Sequence, residues 1–194
     1  MFKSGEFTQQ YVEPKGPGEL DPDRVETHGV ELTVDKLHEL SGKAVMKDGN
    51  YKKSSRTEAP LKTGNLRVVD DDVMGHKIYP VDDDETNNYE DGEVIEMDNP
   101  FYKLYPGPYV VAYNEIISVP DDHIGFVIPR SRVIRTGLDL STAVWDSGYK
   151  GKGEGGLTVG MPSFLEKDMG IGHFVLARAT VYNQYDGSHN NENI

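Results

Sequence analysis

The chain has 194 residues, with 33 acidic against 20 basic side chains for a formal net charge of −13, and 36% of its residues are hydrophobic. That length suits one domain with a real core, and the acid excess excludes a general nucleic-acid binder, whose footprint is basic. With no cysteine, the chain builds neither a disulfide nor a Cys-ligated zinc centre. No stretch approaches the roughly eighteen apolar residues of a membrane span, and the N-terminus has no apolar signal core, so a cytoplasmic protein off the membrane is expected.

Along the chain, Ser4 is placed to N-cap a short helix reaching Val12, with Phe7 and Tyr11 on one face. Residues 14–22 are a Gly/Pro-rich connection. Residues 28–35 alternate with period two, which puts Val30, Leu32 and Val34 on one side of a half-buried strand. The region 42–92 is weakly patterned, and short strands are predicted at 36–40, 44–46, 66–69 and 76–81. Its acidic runs, 70–72 and 82–85, lack the alternating ligands, glycine and closing glutamate of a calcium loop. They read as solvated loops, and residues 86–92 as a mobile loop.

From residue 93 the pattern sharpens. Strands are predicted at 94–97, 101–104, 109–113, 116–119, 123–128, 157–161, 171–177 and 180–182, with turns at Pro106-Gly107 and Asn114-Glu115. The stretch 128–159 reads as strand, turn, strand, glycine-rich loop, strand. Glycines 151, 153, 155 and 156 are followed by no Gly-Lys-Ser/Thr and no helix. They read as a hairpin tip where the backbone comes close to a neighbour, with glycine allowing φ > 0. The expected architecture is all-β, a distorted barrel or jelly roll with little helix. One domain is expected over 1–194, with a variable, acidic, loop-rich insertion at 42–92 and a flexible polar tail at 185–194.

The reactive side chains concentrate between 128 and 159. Pro129-Arg130-Ser131 sets a guanidinium beside a hydroxyl at a strand end, and Arg132 and Arg135 follow at once. Arginine matches phosphate oxygens bidentately. Asp146 is a lone carboxylate on a turn shared with Tyr149. Beside a phosphate site a carboxylate holds metal-bound water or takes a proton from it. A hairpin with a solvated tip accounts for the same residues.

Pro129-Arg130-Ser131 with Arg135-Thr136-Gly137-Leu138 resembles the second motif of the dUTPase and dCTP deaminase superfamily, and Ala143-Val144-Trp145-Asp146-Ser147-Gly148-Tyr149-Lys150-Gly151 resembles the third. Residues 104–111 and 115–120 resemble the hairpin before the second motif. Residues 29–32 resemble the first motif, with Glu31 in place of its usual aspartate. The resemblance implies a homotrimer with sites between subunits and a deoxynucleoside triphosphate as substrate. It also implies Mg²⁺ carried by the phosphates without a dedicated protein ligand.

Carried over residue by residue, Arg130 and Ser131 hold phosphates and Arg135 supports that end. The backbone of Ala143, Val144 and Trp145 through to Tyr149 reads the base edge, Tyr149 stacks under the deoxyribose, and Asp146 activates the water that attacks the α-phosphorus. His173 stands where the fourth motif has glutamine; a donor to phosphate and a structural histidine both fit. Arg132 replaces a common serine, and the glycine-rich C-terminal motif of many dUTPases is missing. In this superfamily a polar C-terminal segment closes over the nucleotide. Deaminase members carry a glutamate on the strand after the hairpin, where this chain has Thr158, while Glu154 is a possible alternative acid in the loop. The expected activity is dUTP diphosphatase. A dCTP deaminase or bifunctional enzyme comes second, and a non-catalytic dNTP-binding paralogue third.

Overall fold

The computed structural model describes residues 1–71, 75–81 and 92–194. Asp72, the acidic run at 82–85 and residues 86–91 of the loop expected at 86–92 lie outside the described residues. Val30–Ser41 forms the central strand. Val30, Leu32 and Val34 are fully buried, as their alternation requires, but Glu31 and Thr33 on the other face are buried too. The strand runs unbroken through residues 36–40, which sequence patterning treats as a separate element.

Around it the strands lie in the order His123–Pro129, Gly170–Arg178, Val30–Ser41, Gly107–Tyr113, Glu154–Val159, Leu138–Ser141, each antiparallel to its neighbour. The two outer strands then meet. The Thr142 hydroxyl donates to the Val127 carbonyl at 3.0 Å. Gly125 and Trp145 exchange both backbone hydrogen bonds, at 2.8 and 3.0 Å. The sheet therefore curls into a nearly closed barrel, which removes most of its open edges. Trp145 fills the seam from inside, with its ring centroid 5.1 Å from Tyr149, 5.8 Å from Phe174 and 6.2 Å from Tyr113.

Smaller sheets cover the barrel: Phe101–Leu104 pairs with Ser163–Glu166 and Leu61–Lys62, and Ile116–Ser118 with Val12–Glu13 and Lys150–Gly151. Within the insertion, Ser55–Glu58 adds to the far end of the central strand. Val45–Lys47 pairs with Asn50–Lys52, and Leu66–Asp71 with Gly75–Pro80 and Glu93–Ile95. At the N-terminus Ser4 caps as expected, its hydroxyl accepting from the Phe7 amide at 3.3 Å. The helix is α over Gly5–Thr8 and 3₁₀ over Gln9–Tyr11.

Three expectations are corrected. Ser131–Arg135 is an α-helix rather than a bare turn. Five residues are too few to show a helical period, and the only local mark is Gly137, at φ +74 just past the helix end. Residues 180–182 are not a strand, and Tyr182 is almost wholly exposed. None of glycines 151, 153, 155 and 156 has positive φ. The close approach expected there is found at three of the four: an added Cβ would sit 2.7 Å from the Tyr149 hydroxyl at Gly151, 2.2 Å from the Trp145 ring at Gly153 and 2.5 Å from the Tyr113 hydroxyl at Gly155, while Gly156 has only ordinary contacts with Ser141.

Candidate functional site

Three adjacent strands build the first half of the site. Register sets Glu31 opposite His173, and His173 opposite Ile128, so the His123–Pro129 strand ends with Arg130 beside both. The Arg130 amide donates to the Ile171 carbonyl at 3.0 Å, which anchors the turn into the helix. Arg130 Nη1 donates to Glu26 Oε1, and Nη2 lies 3.1 Å from Glu31 Oε2. Arg132 donates through Nη2 to Glu31 Oε1 and through Nε to the Gly170 carbonyl at 3.1 Å. His173 Nε2 stands 3.1 Å from Arg130 Nη1. Burial, and then the Arg130 charge, hold the imidazole below its ordinary pKa, so neutral His173 accepts from Arg130. The hydrogen bond from Arg130 holds the Glu26 carboxyl below the usual carboxylate range. Ser131 and Arg135 are exposed on the helix, and Arg135 makes no ion pair among the described residues.

The second half is the hairpin. Asp146 is exposed on a cleft of about 520 Å³, lined also by Ile124, Ser147 and residues 179–186. Ala143 and Val144 are exposed beside it. Trp145 is not available in the same way: its ring is in the core, and its N–H and C=O are both bonded to Gly125. Tyr149 is also buried. Its ring packs edge-on to Trp145 at 5.1 Å and to Tyr185 at 5.8 Å. Burial and the Glu192 carboxylate push its hydroxyl well above the usual tyrosine range.

Within one chain the Asp146 end of the hairpin does not meet Arg130. Trp145 pairs with Gly125, and Arg130 follows five residues later along the same strand direction. At about 3.3 Å per residue, that puts the Trp145 backbone, next to Asp146, and the Arg130 backbone roughly 17 Å apart, while Ala143 and Val144 line a hollow with Ile128.

Glu26 and Arg56, missed in the sequence, and several residues named there complete the picture. Glu26 comes from an irregular turn with no motif around it. Glu154, expected in a loop, begins the Glu154–Val159 strand and is gripped by Arg56 of the insertion at 2.9 and 2.8 Å. Thr158, where deaminase-type members carry their acid, is exposed and faces Pro108 and Asp139 across the sheet. The tail expected to be flexible is hydrogen-bonded along the hairpin. Tyr149 donates to Glu192 Oε1 at 2.9 Å, the Asn191 amide to the Lys150 carbonyl at 2.7 Å, and the Lys152 amide to the Glu192 carbonyl at 3.0 Å. Among the described residues no three His, Asp or Glu side chains are grouped to hold a metal ion. No helix in the described residues is long and apolar enough to cross a membrane.

A nearly closed antiparallel barrel with an arginine–glutamate cluster at one seam and an aspartate hairpin at another defines the class of protein. The profile of the dCTP deaminase-like family matches residues 4–179. The chain belongs to this family, within the dUTPase and dCTP deaminase superfamily. A "Probable deoxyuridine 5'-triphosphate nucleotidohydrolase" of Halobacterium salinarum is 30% identical over 192 residues, spanning 99% of this chain and 95% of the relative. A protein of the same description from Aeropyrum pernix is 42% identical over 89 residues, 45% of this chain and 56% of its own. A 2'-deoxycytidine 5'-triphosphate deaminase structure from Agrobacterium tumefaciens aligns with 90% of this chain and 47% of its own, at 13% identity and a TM-score of 0.49.

Proposed function

We propose that the chain is a dUTP diphosphatase, hydrolysing dUTP to dUMP and pyrophosphate. The observation that carries this reading is the near-full-length likeness to a relative described as a deoxyuridine triphosphate nucleotidohydrolase. The exposed Asp146 carboxylate beside an open cleft supplies the chemistry. Asp146 takes a proton from water, the hydroxide forms a bond to the α-phosphorus, and the bond from that phosphorus to the bridging oxygen breaks to release pyrophosphate. Arg130 and Ser131 hold phosphate oxygens, Arg135 reinforces that end, and His173 lies against Arg130 to fix its fork. The exposed backbone at Ala143 and Val144 reads the base edge, because Trp145's own groups are paired. Tyr149 forms the floor on which the sugar rests and Trp145 backs it.

Magnesium fits this donor set, since it keeps most of its waters and takes phosphate oxygens rather than an all-protein cage. Held by the substrate phosphates, with Asp146 reaching it through water, Mg²⁺ would neutralise charge on the triphosphate. The separation of the two halves supports a homotrimer in which Asp146 of one copy faces Arg130 of another. We place the protein in the cytoplasm without a nucleic-acid or membrane partner, as its substrate and acidity suggest.

Incubation with dUTP and dCTP separately, following pyrophosphate and ammonia, tests the reaction. Pyrophosphate from dUTP, lost in Asp146→Asn, is the expected result. Ammonia from dCTP would replace it with the deaminase reading, and a nucleotide-dependent melting shift without either product would point to a binding paralogue.

A further inference from the structure

The cluster at Arg130 is neutral before any nucleotide arrives. Two guanidinium groups, Arg130 and Arg132, face two carboxylates, Glu26 and Glu31. The rest of the chain adds no help, because its formal net charge is −13. A polyanion therefore meets an Arg130 guanidinium already engaged by internal anions.

The two carboxylates are held differently. The Glu31 side chain is only 11% exposed and is shared by both arginines. Gly170 leaves it room, since a Cβ there would come within 1.3 Å of Glu31 Oε1. The Glu26 side chain is 35% exposed and bonds Arg130 alone, with His173 Nε2 at 3.9 Å. Its backbone, by contrast, is fixed. The Glu26 amide donates to the Gly29 carbonyl at 3.1 Å, and Val25 bridges Val30. Two residues earlier, Arg24 is tied at 3.0 Å to Glu115, which is fully buried and also accepts from the Thr33 amide and hydroxyl. Gly5 closes the other side, where a Cβ would lie 1.9 Å from the Glu26 carbonyl oxygen. The turn is pinned, and the Glu26 side chain is the part free to rotate.

We propose that Glu26 is an internal competitor for the phosphate site. Its carboxylate occupies the position of a phosphate oxygen on Arg130 and swings aside when a phosphate group binds, so that it sets the affinity of the site for anions. The inference rests on the reading that Arg130 binds phosphate. A part-exposed ion pair is weak enough to yield, and a phosphate offers the guanidinium more charge and a matched pair of oxygens in return. Arg24 and Glu115 act as positioning residues that keep Glu26 within reach.

Calorimetric titration of the full-length protein with inorganic pyrophosphate tests this, with melting curves as the folding check. Glu26→Gln keeps the shape and removes the charge, and it should tighten binding about two- to fivefold, the scale of a part-exposed charge pair. Glu26→Asp, which keeps the charge on a shorter arm, should give a smaller gain and serves if the glutamine variant folds poorly. Arg130→Gln should weaken binding in the native and the Glu26→Gln backgrounds alike. If neither Glu26 variant tightens binding while Arg130→Gln still weakens it, Glu26 is no competitor and the phosphate reading stands. If Arg130→Gln binds pyrophosphate as well as the native chain, the phosphate reading falls and the inference with it.

Discussion

The Tyr149 hydroxyl donates to Glu192 Oε1 at 2.9 Å, tying the hairpin that carries Asp146 to the last residues of the chain. The tie is part of a seam: Tyr185 donates to Ser147, Asn191 to Lys150 and Lys152 to Glu192, while Asn190 accepts from Lys150. The segment therefore covers the open edge of Lys150–Gly151 and one side of the Tyr149 ring.

Removal of residues 185–194 should leave a folded barrel of lower stability. Each exchanged hydrogen bond is worth about 0.5–1.5 kcal/mol net, but the ordering of ten polar residues offsets much of it. A loss of about 1–2 kcal/mol is expected, or a fall of roughly 2–8 °C in Tm for a chain of this size. Turnover of dUTP should fall as well, because Tyr149 loses its partner and its cover. Full activity in the truncated protein would separate the seam from the reaction.

Gly170 gives a sharper test of the arginine cluster. A methyl group at this position collides with the Glu31 carboxylate, which two arginines hold in place. Gly170→Ala should push Glu31 off Arg130 and Arg132 at a cost of about 1–3 kcal/mol, the usual range for overpacking. It should also raise KM for dUTP more than Thr158→Ala does. Equal kinetics for the two variants would show that the Glu31 contact does not shape the site.

Much of the barrel was legible: alternation over residues 28–35 marks the start of Val30–Ser41, and the strand expected at 101–104 is present at those bounds. The arginines and Asp146 were legible because they sit in short contiguous motifs. What was not legible depends on partners distant in sequence. Glu26 meets Arg130 across 104 residues, and Arg56 meets Glu154 across 98. The glycine run signals close approach, which aromatic rings supply at Gly151, Gly153 and Gly155, but the positive φ it also suggests is absent. Its motif places Trp145 among the base-reading residues. Only the folded barrel shows that its backbone hydrogen bonds go to Gly125 across the seam.

Acid should weaken the protein in two windows. His173, facing Arg130, Glu26 and Glu31, has a folded pKa below its ordinary 6.5. As pH falls through 6.5 the unfolded chain takes up a proton that the folded chain refuses, so stability is lost from there down to the depressed value. Glu26 is also depressed below its ordinary 4.5, so the stability it contributes is present above that value and is lost as pH falls further. Denaturant titrations of the native chain and His173→Gln at pH 7.5, 6 and 5 should show the first loss in the native chain alone. Parallel pH profiles for the two would remove His173 as its source.

The pair Arg56–Glu154 bears on which reaction the site runs. Glu154 stands at the start of the strand after the hairpin, and Arg56 grips both of its carboxylate oxygens at 2.9 and 2.8 Å. A guanidinium in that position engages both carboxylate oxygens, so Glu154 is tied to the insertion rather than free to reach a bound base. Glu154→Gln should therefore leave pyrophosphate release from dUTP within about threefold of native, well under the 10²–10⁴-fold expected of Asp146→Asn. The pair is about one-third exposed on each side, so its loss should cost under about 1 kcal/mol. Arg56→Met frees Glu154 and leaves its carboxylate in place. It should produce no ammonia from dCTP, because the strand position beyond the hairpin is still held by Thr158. Ammonia released by Arg56→Met and abolished in the Arg56→Met, Glu154→Gln double variant would mean that the insertion suppresses a working deaminase acid, and that dUTP hydrolysis is only one of the reactions this barrel can carry.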